Sequence, residues 1–154
     1  MKSISALISV LFIWIDQYTK NVIIEMHNAS ESMDIIPNPF IGITYVENRG
    51  AAFGIFQGGR VFFIATTIII LIGMIYYYFK LPKTRLYNWF RIALTSIFAG
   101  AIGNFIDRFK MGHVTDFIYF KFIDFPVFNF ADIFVVIGTA LMCILMLFIK
   151  EPQK

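Results

Sequence analysis

Cysteine occurs once, at Cys143, so no disulfide can form within the chain and its stability has to come from packing and from its surroundings. Charge is also scarce: Lys, Arg, Asp and Glu make up 15% of the 154 residues, where an ordinary soluble domain has about 25%. The only histidines, His27 and His113, are far apart, and no HExxH stretch exists, which removes the signature of a zinc hydrolase. No GxSxG elbow is present to carry a serine hydrolase. Neither an internal repeat nor a low-complexity tract supports a transporter built from duplicated halves. What fills the chain instead is hydrocarbon. Hydrophobic residues supply 58% of it, 19 of them Phe, and the mean hydropathy is +0.73. A globule of this length has too little interior to hide so much apolar surface from water. The chain is therefore predicted to be an all-α integral membrane protein.

The spans follow from uncharged apolar runs. Val61 to Phe79 is 19 residues without a charge, Ile133 to Ile149 is 17 and Ile92 to Ile106 is 15, the last with Arg91 placed to snorkel at one end. Ser3 to Ile15 is apolar for 13 residues and continues as DQYTKNVII, so a full first span must carry Asp16 and Lys20. A cleavable signal peptide over residues 1–24 is the alternative there, but its small-residue cleavage pattern is missing. Four transmembrane helices are thus expected, at about 3–24, 61–79, 88–106 and 130–149, in one membrane-embedded domain over 1–154. Lys2, Lys80, Lys83, Arg85, Lys150 and Lys154 lie on the side of the termini, opposed there only by Glu151, so both termini are expected to be cytoplasmic. Trp89 and the tyrosines Tyr76 to Tyr78 and Tyr87 flank the KLPKTR turn as an interfacial aromatic belt. Segments 25–60 and 107–129 then face outward. Within the first, PFIGITYVEN alternates as a short strand with Ile41, Ile43 and Tyr45 on one face.

Ionisable groups near hydrocarbon need a reason to be there. Asp16 and Lys20, four apart with the acid first, share a helix face and suit an intramembrane ion pair as well as a catalytic role. In GAIGNFIDR, Gly100, Asn104, Asp107 and Arg108 fall on one stripe, where the glycines admit a neighbouring backbone. In FPVFNFAD, Asn129 and Asp132 have the spacing of an N-cap and its N3 acid, which explains them without any chemistry. Asp116, read as a loop residue among Val114, Phe117 and Ile118, is an acid whose proton affinity apolar neighbours would raise. Asp116 and Asp132 bracket a short return of the chain toward one membrane face, so the two carboxylates can meet there. Two such carboxylates share a proton, and the pair can activate a water against a peptide bond. A Ser/Lys dyad would need Lys20 to reach a serine such as Ser96 inside the third span. The rivals from other classes are a small ion or proton transporter with Asp16, Lys20, Asp107 and Asp132 as a relay, and a non-catalytic membrane scaffold. The first would spread its charges through the membrane, and these cluster toward the outer half.

Five blocks in order, DQYTK (16–20), NRGAAFGIF (48–56), GAIGNFIDR (100–108), VTDF (114–117) and FNFAD (128–132), resemble the motifs of lipoprotein signal peptidase, the signal peptidase II family. That resemblance covers nearly the whole chain. It implies a bacterial aspartic endopeptidase of the cytoplasmic membrane with four transmembrane helices, cytoplasmic termini and a small extracytoplasmic β-cradle. The substrate it implies is a diacylglyceryl-modified prolipoprotein, cleaved just before the lipidated cysteine of the lipobox at the extracytoplasmic face. Carried over by motif, the catalytic pair is Asp116 and Asp132, and the supporting residues are Asp16, Lys20, Asn48, Gly50, Gly100, Asn104, Arg108 and Asn129. No metal, cofactor or nucleic acid is implied; membrane lipid is the remaining partner, and the chain is expected to act as a monomer. Asp107 is expected to be structural, Asp124 an ordinary loop acid, and residues 48–56 a lid or lipid-binding loop.

Overall fold

The computed structural model describes residues 2–29, 38–50 and 58–148. Its elements run α1 (Lys2–Asn28), β1 (Ile41–Asn48), α2 (Arg60–Lys80), α3 (Arg85–Lys110), β2 (Val114–Phe120) and α4 (Phe130–Met146). The protein is mostly helical, with one small antiparallel sheet of two strands. Three helices, α1, α2 and α3, are long and apolar enough to cross a membrane, and α4 is a shorter apolar helix of 17 residues. Several bounds differ from the apolar runs: α1 continues to Asn28 rather than ending at 24, α3 fills 85–110 rather than 88–106, and α4 closes at Met146.

α3 is the hub. It packs against α4, α1 and α2 in turn, while α1 and α2 scarcely touch one another. Its buried residues are small or polar where the neighbours come closest, with Ala93, Ser96, Ala99, Gly100 and Gly103 among them. A Cβ at Gly100 would collide with the Ala131 carbonyl oxygen and the Val135 side chain, and one at Gly138 would meet the Ala93 carbonyl oxygen at 2.7 Å. A glycine from each helix therefore permits the α3–α4 contact, the usual device where lipid supplies no hydrophobic drive between helices. Ser96 Oγ donates to the Phe134 carbonyl at 2.7 Å across the same seam, which places this serine away from Lys20. α2 is the opposite case, with only Leu71 buried among its 21 residues. Val61, Phe62, Ile69, Ile72, Tyr76 and Phe79 are exposed, as a helix facing hydrocarbon leaves them.

Arg91 does not snorkel outward. It is buried, and its guanidinium turns back to donate to the carbonyls of Leu81 and Pro82 and to Asn88 Oδ1, holding the α2–α3 turn. Thr84 caps α3 by accepting from the Tyr87 N–H.

The two strands pair as Ile41 with Phe120 and Ile43 with Ile118, then slip by one residue, so that Val46 opposes Asp116 and Asn48 opposes Val114. Ile41, Ile43 and Tyr45 pack on a core of Ile23, Phe117 and Ile118, the face expected from their alternation. His27 at the end of α1 stacks on Tyr45, with ring centres 4.1 Å apart. Segment 107–129 is not all loop, because VTDFIYF forms β2. Its far edge is taken by Phe128, which exchanges two backbone bonds with Ile118, at 2.8 and 2.9 Å. That bridge delivers the start of α4 next to Asp116.

Candidate active site

Asp116 lies on β2 rather than in a loop, and it is 3% exposed. The one-residue bulge in β1 decides which neighbour it meets. Facing residues of an antiparallel pair share a face, so the extra residue puts Val46 and Asn48 on the Asp116 side in place of Tyr45 and Glu47. Asn48 Nδ2 then donates to Asp116 Oδ2 at 2.9 Å, while its own Oδ1 accepts from the Gly50 N–H at 3.0 Å.

Asn129 joins the two carboxylates. Its Nδ2 donates to Asp116 Oδ1 at 2.6 Å and to Asn104 Oδ1 at 3.1 Å, and its backbone N–H donates to Asp132 Oδ2 at 3.1 Å. Its Oδ1 in turn accepts from the Asp132 N–H, completing a capping box at the start of α4. The cap and the carboxylate link are thus one arrangement. Asn104, nearly two turns before the end of α3, donates to Asp132 Oδ1 at 2.8 Å.

Behind this layer sits a buried ion cluster. Lys20 Nζ lies 2.9 Å from Asp16 Oδ2, from Asp107 Oδ2 and from Asn104 Oδ1. Asp16 Oδ1 accepts from the Ala131 N–H at 2.9 Å, one of the helix-start donors that no helical carbonyl can satisfy. Asp107 Oδ2 accepts from the Thr115 N–H at 3.2 Å. α1, α3, β2 and α4 therefore meet at a single lysine and two acids. Asp107 is part of this buried cluster and does not line the cavity described next.

Asp116, Asp132, Asn48, Asn104 and Arg108 line a cavity of about 650 Å³, within the range of small-ligand sites. Apart from Glu47, its other walls are apolar, including Phe120, Phe125, Phe128, Ile133 and Val136. Asp16, Lys20 and Gly100 do not line it; the first two brace its floor and the third seats α4. Arg108 stands over the Phe63 ring at 4.9 Å and donates to the Gly50 carbonyl at 3.1 Å. Burial raises the Asp116 carboxyl from 3.8 to about 6; the Asn48 and Asn129 N–H groups oppose the rise and the nearby Asp132 charge adds to it.

Three contributors were not singled out in the sequence. Gln17 donates to Asp16 Oδ2, to the Gly103 carbonyl and to Asp107 Oδ1, at 3.2, 3.2 and 2.9 Å. A Cβ at Gly103 would strike the Asp16 carboxylate. Arg60 donates to the carbonyls of Arg108 and Phe109, at 2.9 and 2.6 Å, closing the end of α3. Gln17 lies inside DQYTK, next to the ion pair, and that adjacency was the available signal. Asp124 is exposed in a loop, as expected. Residues 51–56 of the block NRGAAFGIF, the expected lid or lipid-binding loop, lie outside the described residues.

The chain that carries these linked carboxylates, Asp116 buried and Asp132 half-buried, matches known proteins over almost its whole length. The family described as signal peptidase (SPase) II matches residues 8–148. This chain belongs to the signal peptidase II family. It is 46% identical over 145 residues to the lipoprotein signal peptidase of Caldanaerobacter subterraneus subsp. tengcongensis, covering 93% of this chain and 96% of that protein. With the lipoprotein signal peptidase of Streptococcus pneumoniae it shares 39% identity over 146 residues, 95% of this chain and 94% of the relative. A bacterial membrane enzyme solved by the in meso method at 2.3 Å resolution superposes with a TM-score of 0.82 at 38% identity, covering 99% of this chain and 94% of that one. The fold of that membrane enzyme is thus shared, and this signal peptidase II-family chain is a membrane protein and a protease.

Proposed function

We propose that this signal peptidase II-family protein removes signal peptides from diacylglyceryl-modified prolipoproteins, cutting before the lipidated cysteine, with Asp116 and Asp132 as the catalytic pair. The observation that carries the reading is that both carboxylates line one largely apolar cavity and are tied to each other through Asn129. Asp116, whose carboxyl is raised to about 6, holds its proton below that pH and there acts as the acid. Asp132, on the first turn of α4 and bonded by two N–H donors, acts as the base. Asp132 takes a proton from water as the water oxygen bonds to the scissile carbonyl carbon, and Asp116 gives its proton to the carbonyl oxygen. The diol then collapses: the C–N bond breaks, the leaving nitrogen takes the proton held by Asp132, and Asp116 recovers its own from the diol. Asn48, Asn104 and Asn129 fix the two carboxylates, and Arg108 holds the end of β1 through Gly50.

The membrane placement completes the reading. Four spans, with α4 the shortest, put both termini and the KLPKTR turn in the cytoplasm, and the small sheet and the cavity at the outer face of a bacterial cytoplasmic membrane. The apolar wall around Phe120, Phe128 and Val136 receives the apolar segment of the signal peptide while the acyl chains stay in lipid. Residues 1–154 form one domain that works as a monomer. The purified protein should cut a diacylglyceryl prolipoprotein and leave the same prolipoprotein without its lipid intact. Equal cleavage of both would remove the lipid from the substrate definition.

A further inference from the structure

A second cavity, of about 230 Å³, lies at the other end of the bundle between α1, α2 and α3. Ser5, on its wall, is eleven residues before Asp16 on α1, which is about 16 Å at helical rise. The walls are mostly apolar, with Met74, Ile75, Leu94 and Phe98 among them. Two hydroxyls on these walls, Ser5 Oγ and Tyr78 Oη, are buried and have no hydrogen-bond partner among the described residues, and Ser5 is only 5% exposed. Thr95, also on the wall, already donates to the Arg91 carbonyl. A hydroxyl buried in apolar surroundings without a partner is costly. Helix packing does not close the space, because α1 and α2 each pack on α3 and scarcely on one another. The cavity is therefore a cleft between two helices that face hydrocarbon.

The chemistry of the walls selects an occupant. Both unpaired groups are hydroxyls able to donate, so an occupant that offers acceptors satisfies them. Apart from Ser9 and the already bonded Thr95, the rest of the lining is apolar, so a cluster of waters, each needing two to four polar partners and about 30 Å³, would be poorly held. Lys80, Lys83 and Arg85 are exposed at this end, around the α2–α3 turn. An acyl chain with an ester carbonyl beneath an anionic head satisfies all three features. We propose that this cleft is a binding site for one anionic glycerophospholipid of the bilayer, its acyl chain between α1 and α2 and its ester carbonyls accepting from Ser5 Oγ and Tyr78 Oη. The site depends on the membrane placement given above but not on the peptidase chemistry.

Native mass spectrometry of the detergent-purified protein titrated with phosphatidylglycerol or phosphatidylcholine tests it. The wild type should hold one phosphatidylglycerol and hold phosphatidylcholine several-fold less well. Ser9→Phe, which fills the cleft, should abolish the adduct, and the double variant Ser5→Ala with Tyr78→Phe, which keeps its shape, should weaken it at least about tenfold. Peptidase activity of either variant in detergent should stay at the wild-type level, so a failed lipid site and a failed peptidase reading give different results. Absence of an adduct in the wild type, or retention in the double variant equal to wild type, would overturn the site. Equal retention of the two lipids would overturn the anionic headgroup, and displacement of the lipid by one equivalent of prolipoprotein would reassign the cleft to the substrate.

Discussion

Removing the amino group of Lys20 should destabilise the region on which the two proposed catalytic carboxylates rest. The side chain is 2% exposed and its Nζ is within 2.9 Å of Asp16, Asp107 and Asn104. Lys20→Met leaves two acids buried with no cation, and breaking a buried pair in this way costs about 3–5 kcal/mol. Solvent screening gives no discount here, because both acids are as buried as the lysine. That cost is a large part of the roughly 5–15 kcal/mol that holds a domain folded. At about 2–4 °C per kcal/mol for a chain of this size, the melting temperature should fall by roughly 10 °C. The damage should also reach the site, since Asp16 satisfies the Ala131 N–H at the start of α4 and Asn104 carries Asp132. Thermal unfolding of the detergent-solubilised protein by intrinsic fluorescence measures it, and accumulation in membranes should drop in parallel. Neutralising the acids as well, with Asp16→Asn and Asp107→Asn, should restore part of the lost temperature. If Lys20→Met melts within about 2 °C of wild type and loses only activity, the lysine acts on substrate and the reasoning fails.

Two further expectations concern the carboxylates. The Asp116 carboxyl, at about 6, must keep its proton to act as the acid, so kcat/KM should fall as pH rises through about 6. Asn48 favours the ionised form through its bond to Oδ2, so Asn48→Leu should move that alkaline limb to higher pH; an unmoved limb would remove Asn48 from the pair. The same raised value affects stability, because a proton held more tightly when folded contributes below about pH 4 and its contribution is lost as pH rises through about 6. Asp116→Asn removes that dependence. Its melting temperature relative to wild type should therefore rise between pH 4 and pH 7, corresponding to at most about 3 kcal/mol, and a constant gap would contradict the assignment. Asn129→Ala removes a helix cap, worth about 0.5–2 kcal/mol, and the bond to Asp116 with it. It should lower kcat by at least tenfold with only a few degrees of melting temperature lost; a loss of stability alone would leave Asn129 a cap.

The helices were readable because hydrocarbon allows few charges: the uncharged run 61–79 became α2 at 60–80 almost unchanged. α1 was harder to read, since Asp16 and Lys20 are unfavourable in a hydropathy window and favourable once paired with Asp107 from a helix ninety residues away. β1 showed itself through alternation at Ile41, Ile43 and Tyr45. β2 did not, because Val114 to Ile118 are all buried, and a strand covered on both faces carries no alternating pattern. The bulge that turns Asn48 toward Asp116 has no marker in either strand. Arg60 likewise meets the end of α3 only in the folded chain. Of the site residues, those on motifs were legible, and their division into cavity wall and supporting floor was not. That division depends on which face of α3 each neighbour occupies.

The central claim is that Asp116 and Asp132 together carry the hydrolysis, and the most direct measurement is single-turnover cleavage of a diacylglyceryl prolipoprotein by Asp116→Asn and by Asp132→Asn. Each variant should insert in the membrane and bind the substrate near the wild-type affinity, and each should lose cleavage by at least about a thousandfold, roughly 4 kcal/mol of barrier. Wild-type cleavage by either variant would contradict the account.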